Sequence, residues 1–191
     1  MIRHALLLAV VAASTLCSSP VSVDVSGIAR LAGKPVVDAV IWLEAPEAPR
    51  TRTPKPAVLN QRDVQFYPHV LAVQVGTRVR FPNGDRVFHN VFSFHDGEQF
   101  DLGLYPVGMV KDVPFERPGL SRIFCNIHPE MAAYVMVVDT PFYAVSDDTG
   151  RFTIDNVPQG RYTYHAWRPG GDVLTDRVTV EPGRAFEVRW P

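Results

Sequence analysis

Helix periodicity is almost missing from this chain, and three other features are scarce. Only two cysteines, Cys17 and Cys125, occur among its 191 residues. A Cys-x-x-Cys-His haem attachment site is therefore excluded. No block of lysine or arginine appears, and the formal net charge is −1. This argues against a nucleic-acid partner, which normally needs a clustered basic face. No apolar run reaches the roughly 20 residues that a membrane-spanning helix requires.

Short apolar segments of period two are present in their place, bounded by Gly, Pro, Asn and Asp, with 17 prolines and 13 glycines supplying turns. Candidate strands cover 21–31, 36–44, 70–75, 78–81, 87–94, 120–125, 132–139, 151–154, 161–167, 173–180 and 185–190. The pattern predicts an all-β protein of sandwich or barrel type. A stretch with Pro46, Pro49, Pro54 and Pro56 reads as a linker, because proline cannot donate to a sheet ladder. A second boundary is expected near Thr140-Pro141. The two boundaries divide the chain into 21–56, a middle block 57–140, and 141–191.

Residues 1–20 carry a short basic start at Arg3-His4, an apolar run from Ala5 to Ala13, and small residues up to Ser19. That layout predicts an export signal and a periplasmic or exported protein; lipid attachment at Cys17 is a second possibility. Cleavage would remove Arg3, the one charged residue of the segment by count of Lys, Arg, Asp and Glu, taking the net charge from −1 to −2. It would also leave Cys125 as the single thiol, which an oxidising compartment attacks unless it is buried or ligated.

The neighbours of Cys125 point to ligation. Phe124-Cys125-Asn126-Ile127-His128-Pro129-Glu130-Met131 offers thiolate, imidazole and thioether at i, i+3 and i+6. Upstream, Phe88-His89-Asn90-Val91-Phe92 offers a second imidazole in a strand-like context. Two His, one Cys and a weak axial Met form the ligand set of a blue-copper electron-transfer site. A structural zinc site wants four strong N/S donors, and Met is a poor one. Each of these residues alone would read as buried packing; it is their combination and spacing that carries the signal. His69, His95 and His165 lack a placed partner in the sequence, and Asp96, Glu98 and Asp101 read as a solvated loop.

With these residues in place, 57–140 resembles a cupredoxin, nearest to plastocyanin and amicyanin. The short Cys-x2-His-x2-Met loop, the His89-Asn90 pair and the approach from Val70 to Asn83 carry the likeness. The resemblance implies a Greek-key β-sandwich holding one type 1 copper through His89, Cys125, His128 and Met131. It implies that Asn90 ties the ligand loops together by hydrogen bonds. It also implies a surface patch at His128, Pro129 and Met131 where redox proteins dock. The flanks joined end to end, Gly33-Lys34-Pro35-Val36 and then Gly150-Arg151-Phe152 to Val157-Pro158, resemble the carboxypeptidase regulatory-like domain, a small transthyretin-like β-sandwich. The middle block then reads as an insertion into it; two unrelated β segments around a central domain are the alternative. The whole chain also resembles bacterial cupredoxin-like proteins labelled methylamine utilisation proteins. The expected activity is single-electron transport and not catalysis. Oxidases and nitrite reductases of this fold build extra copper sites from His-x-His pairs, and none of the six histidines forms one. The rival function is a binding module of the cell envelope in which copper is structural or cargo.

Overall fold

The computed structural model describes residues 21–44, 54–94 and 96–191. The expected export segment with Cys17, most of the proline-rich linker, and His95 lie outside the described residues. Among the described residues no helix is long and apolar enough to cross a membrane, and the regular elements are 18 strands. The N-terminal part supplies β1 (Ser22–Leu31), β2 (Lys34–Pro35) and β3 (Val40–Leu43). The middle supplies β4 (Ala57–Val58), β5 (Asn60–Arg62), β6 (Gln65–Tyr67), β7 (Val70–Gln74), β8 (Thr77–Pro82), β9 (His89–Ser93), β10 (Phe100–Tyr105), β11 (Val110–Phe115), β12 (Gly119–Phe124) and β13 (Ala132–Val138). The C-terminal part supplies β14 (Tyr143–Val145), β15 (Arg151–Pro158), β16 (Gly160–Trp167), β17 (Leu174–Val180) and β18 (Phe186–Trp190).

Four main sheets are layered with three apolar seams between them. In the outermost, β1 lies between antiparallel β15 and parallel β18, and β2 folds back on β1. The next sheet runs β14-β3-β16-β17. Val25, Ala29, Ile41, Leu43, Phe152, Ile154, Val188 and Trp190 form the seam between these two. A five-stranded sheet, β10-β9-β12-β13-β7, and a three-stranded one, β11-β8-β4, enclose a separate core that includes Phe81, Val91, Phe115, Ile123, Cys125, Met131 and Val135. The third seam joins the halves: Val40 and Trp167 meet Val70, Met136 and Val138.

This layering explains two sequences that do not alternate. In β3, Ile41 and Leu43 enter one seam while Val40 and Trp42 face the other, so Val-Ile-Trp-Leu is apolar throughout. In β13, Ala133, Val135 and Val137 enter the core that contains Cys125, while Tyr134, Met136 and Val138 face the seam. A strand covered on both faces has no polar side to show.

The expected strand 36–44 is shortened to β3. Asp38 takes φ of 62° and turns the chain between β2 and β3. Several strands carry too weak a signal to be expected from sequence. In β10 the register against β9 shifts between Asp101 and Leu104, which destroys the alternation. β11 contains Pro114 but forms the edge of its sheet, where a missing donor is tolerated. β5 and β6 are joined by Asp63-Val64, both at positive φ, without the Asn-Gly that usually marks such a turn.

Gly27 is required by close approach. A Cβ there would overlap the ring of Phe152 and the carbonyl oxygen of Phe186, on the two strands that flank β1. Backbone cannot yield as a side chain does. Gly27→Ala is expected to destabilise the protein by about 1–3 kcal/mol, measured by denaturant unfolding. An unchanged midpoint would show that β1 can shift between its neighbours.

Candidate metal centre

His89 opens β9 and points inward with Val91, which lies in the core two residues further on. Cys125 follows the last residue of β12, and Met131 precedes the first residue of β13. The seven residues from Cys125 to Met131 therefore form one strand-to-strand loop, pinned at its ends. The Cys125 N–H donates to the Met131 carbonyl at 3.3 Å, and the Met131 N–H donates to the His128 carbonyl at 2.9 Å. Ladder pairing of β12 with β13 sets this geometry, from Gly119↔Val137 through Phe124↔Ala132.

The loop brings its donors onto the buried imidazole. His89 Nδ1 lies 3.1 Å from His128 Nδ1, and Cys125 Sγ lies 3.6 Å from the same His128 nitrogen. The three ligand atoms all fall within 4.8 Å of one another. Cys125 is buried, His89 is fully enclosed, and His128 is half-buried. Met131 is enclosed in the same core cluster as Cys125. Metal–imidazole bonds of about 2.0 Å and metal–thiolate bonds of about 2.3 Å meeting near tetrahedral angles separate their donors by roughly 3.1–3.7 Å; the two separations from His128 Nδ1 match that spacing, and the His89 and Cys125 donors, inside the 4.8 Å limit of the cluster, would draw together to share one ion.

The protonation pattern agrees with that fit. His89 Nε2 lies 2.9 Å from Asp85 Oδ2. A carboxylate only accepts, so Nε2 carries the proton and Nδ1 turns its lone pair toward His128 and Cys125. Burial pushes the Asp85 carboxyl up. The Val64 N–H and the His89 hydrogen bond outweigh it, and the net result lies below the ordinary value. Asp85 is not visible as a site residue in the ligand motifs. Its one signal is an acidic residue four positions before a candidate ligand, in Asn83-Gly84-Asp85.

A buried polar network supports this arm. The Asn83 amide donates to the carbonyls of Val87 and Tyr105, and the Asp85 N–H donates to Asn83 Oδ1 at 2.9 Å. Gln61 Nε2 donates to the Tyr105 hydroxyl at 2.6 Å, which donates in turn to the Phe81 carbonyl at 3.1 Å. Burial pushes the Tyr105 phenol up to about 12, against the Gln61 hydrogen bond and with the nearby Cys125 sulfur adding to the rise. Tyr105 thus remains a neutral phenol beside the site.

Val64 gives its N–H to Asp85 Oδ2 at 2.7 Å from a strained backbone, with φ of 57°. A β-branched residue in the left-handed region is disfavoured by roughly 1–2 kcal/mol. Val64→Gly, keeping the N–H, is expected to raise stability by about 1 kcal/mol after the entropic cost of glycine. A loss of stability in denaturant titration would show that the valine side chain is itself needed.

The other expected site residues are placed as follows. Asn90 is buried, but its amide donates to Asp101 Oδ1 on β10 at 2.7 Å and not to the Cys125 loop. Its Oδ1 is enclosed without a hydrogen-bond partner among the described residues. Asp101 therefore belongs to a strand and holds Asn90, instead of lying in a solvated loop. Pro129 is exposed. Met131 is 1% exposed and belongs to the interior, so it contributes nothing to a docking surface. The exposed apolar residues beside the ligands are Phe88 and Ile127, each the chain neighbour of a histidine. His69 lies 2.9 Å from Asp38 and His165 2.9 Å from Glu44, both apart from the Cys-His cluster.

Comparison with known proteins gives likenesses to parts of the chain. Residues 139–188 match the family described as polysaccharide lyase family 4, domain II, and not the carboxypeptidase regulatory-like family that the flanking motifs suggest. No curated protein matches the chain. Among solved structures, the copper-containing nitrite reductase of Thermus scotoductus is similar at 28% identity and TM-score 0.42, over 44% of this chain and 22% of that one. This chain thus spans about a fifth of that enzyme. A purple cupredoxin from Nitrosopumilus maritimus is similar at 26% identity and TM-score 0.40, over 43% of this chain and 99% of that one. Amicyanin from Paracoccus versutus is similar at 20% identity and TM-score 0.40, over 51% of this chain and 97% of that one.

Proposed function

We propose that this protein is an exported carrier of single electrons with one type 1 copper site. His89, Cys125 and His128 would hold the ion, with Met131 as a weak axial donor. The observation that carries the reading is the convergence of one buried thiol and two imidazoles, whose ligand atoms lie within 4.8 Å of one another. When bound, copper supplies the one-electron couple. The chain's own residues do the rest. Cys125 offers the strongest and softest donor, His89 is fixed in the interior, and half-buried His128 links the site to the surface. His89, Cys125 and Met131 are buried, and with His128 they would give the ion four protein donors and no position for a substrate, which is why transport and not catalysis is proposed. Redox proteins would dock by a small, weak interface over Pro129, Ile127 and Phe88.

We also propose that the middle block is a cupredoxin domain inserted into a flanking β-sandwich built from both ends of the chain. Support comes from the pairing of β1 with β15 and β18, and from separate apolar cores for the flanks and the middle block. Exposed loops accept insertions whose ends lie close together.

The test is spectroelectrochemistry of the copper-loaded protein. A reversible one-electron couple with rapid exchange is expected. Copper locked in one state would instead favour a structural or cargo role, with the flanking sandwich serving as an envelope-binding module.

A further inference from the structure

Asp85 stands in an unusual position for a residue that only orients a ligand. Its side chain is 16% exposed, and the imidazole it holds is fully enclosed. Among the described residues no Lys or Arg lies within ion-pair distance of it; its one such partner is His89. A backbone carbonyl could orient His89 Nε2 equally well and would bring no charge. Here a full negative charge sits one imidazole ring away from the convergent donors, with little solvent to screen it. The hydrogen bonds from Val64 N–H at 2.7 Å and from His89 Nε2 at 2.9 Å end on the same oxygen, Oδ2, and the Asp63 backbone adds a weaker contact. The Asn83 side chain holds the Asp85 backbone from the other side at 2.9 Å. The carboxylate is thus aimed and fixed from three directions.

We propose that Asp85 sets the redox preference of the site: its charge, passed through the His89 ring, favours the more positive oxidation state of the bound metal and holds the reduction potential down. This rests on the copper reading above. It separates two roles that second partners of ligating histidines combine, orientation and charge.

Asp85→Asn tells them apart. Because one oxygen accepts both hydrogen bonds, the asparagine Oδ1 can occupy its place and keep them, while the charge disappears. Wild type, Asp85→Asn and Asp85→Ala are compared by potentiometry, by separate Cu(II) and Cu(I) competition titrations, and by nitrogen NMR of the His89 tautomer in the metal-free protein. In Asp85→Asn the Nε2–H tautomer and the thiolate-to-copper band are expected to persist. The ratio of Cu(II) to Cu(I) affinity is expected to fall about tenfold, which is a rise of about 59 mV for a one-electron couple. In Asp85→Ala the tautomer preference is expected to be lost as well, and Cu(II) affinity to fall 10–100-fold. A band and potential unchanged from wild type in Asp85→Asn would overturn the inference and leave the copper reading intact. A wild-type protein without the band would overturn both.

Discussion

Copper(II) added to the Cys125→Ser variant is expected to give no intense visible band, whereas the wild-type protein becomes strongly coloured. The band arises from charge transfer out of a thiolate into Cu(II), and Cys125 is the single free cysteine among the described residues. A serine hydroxyl at the same position is a hard, weakly acidic donor and cannot replace it. His89, His128 and Met131 are untouched by the change, so residual Cu(II) binding through the imidazoles is expected, in a pale form. Loss of the band is therefore an all-or-none result that is separable from loss of the metal. A band that survives in the variant would remove sulfur from the ligand set and with it the electron-carrier reading. Because Cys125 is 4% exposed, the wild-type thiol is also expected to react slowly with thiol reagents while folded.

Phe81→Ala is expected to cost about 3–5 kcal/mol of stability, the usual range for removing an enclosed phenylalanine. The ring is fully buried and lies 5.7 Å from that of Phe100 and 6.4 Å from that of Phe115, measured between centroids. It belongs to the same core cluster as Cys125 and Met131. The backbone of Phe81 accepts the Tyr105 hydroxyl, and that bond needs no side chain. The variant is thus expected to lose stability by cavity formation while the donor set keeps its geometry. Urea unfolding monitored by far-ultraviolet circular dichroism checks it. A cost below 1 kcal/mol would mean that the β8–β11 layer collapses onto the cavity and that this core is more plastic than its packing indicates.

The two experiments probe different links. The first addresses chemistry that one short loop carries. The second addresses the packing that holds two distant segments against each other, since β8 contributes Phe81 and β12 leads to Cys125. His89 reaches the loop only because β9 and β12 share a sheet, and their direct ladder contact is the single pair Phe124↔Phe92.

Legibility of the fold followed local contrast. β8 alternates from Thr77 to Phe81 and is evident from its sequence. β10 lies in the same domain but has a bulge, a glycine and an exposed aspartate that accepts from Asn90, so its pattern reads as loop. Asp101 looks like any solvated acid until its neighbour across the strand pair is known. Likewise, Met131 next to Pro129 looks like part of a surface patch, and only the pairing of β12 with β13 turns it inward.

By itself the sequence determined an all-β chain and a loop in which Cys125, His128 and Met131 must lie close together, because seven residues between two paired strands have little freedom to separate them. The tertiary structure alone decided that Asp85 would carry charge to His89, that Asn90 would bond to β10, and that β1 would lie between β15 and β18. These are contacts between segments whose separation along the chain has no fixed relation to distance in space. Strand register and sheet order select them, and neither is encoded in the period of any one segment.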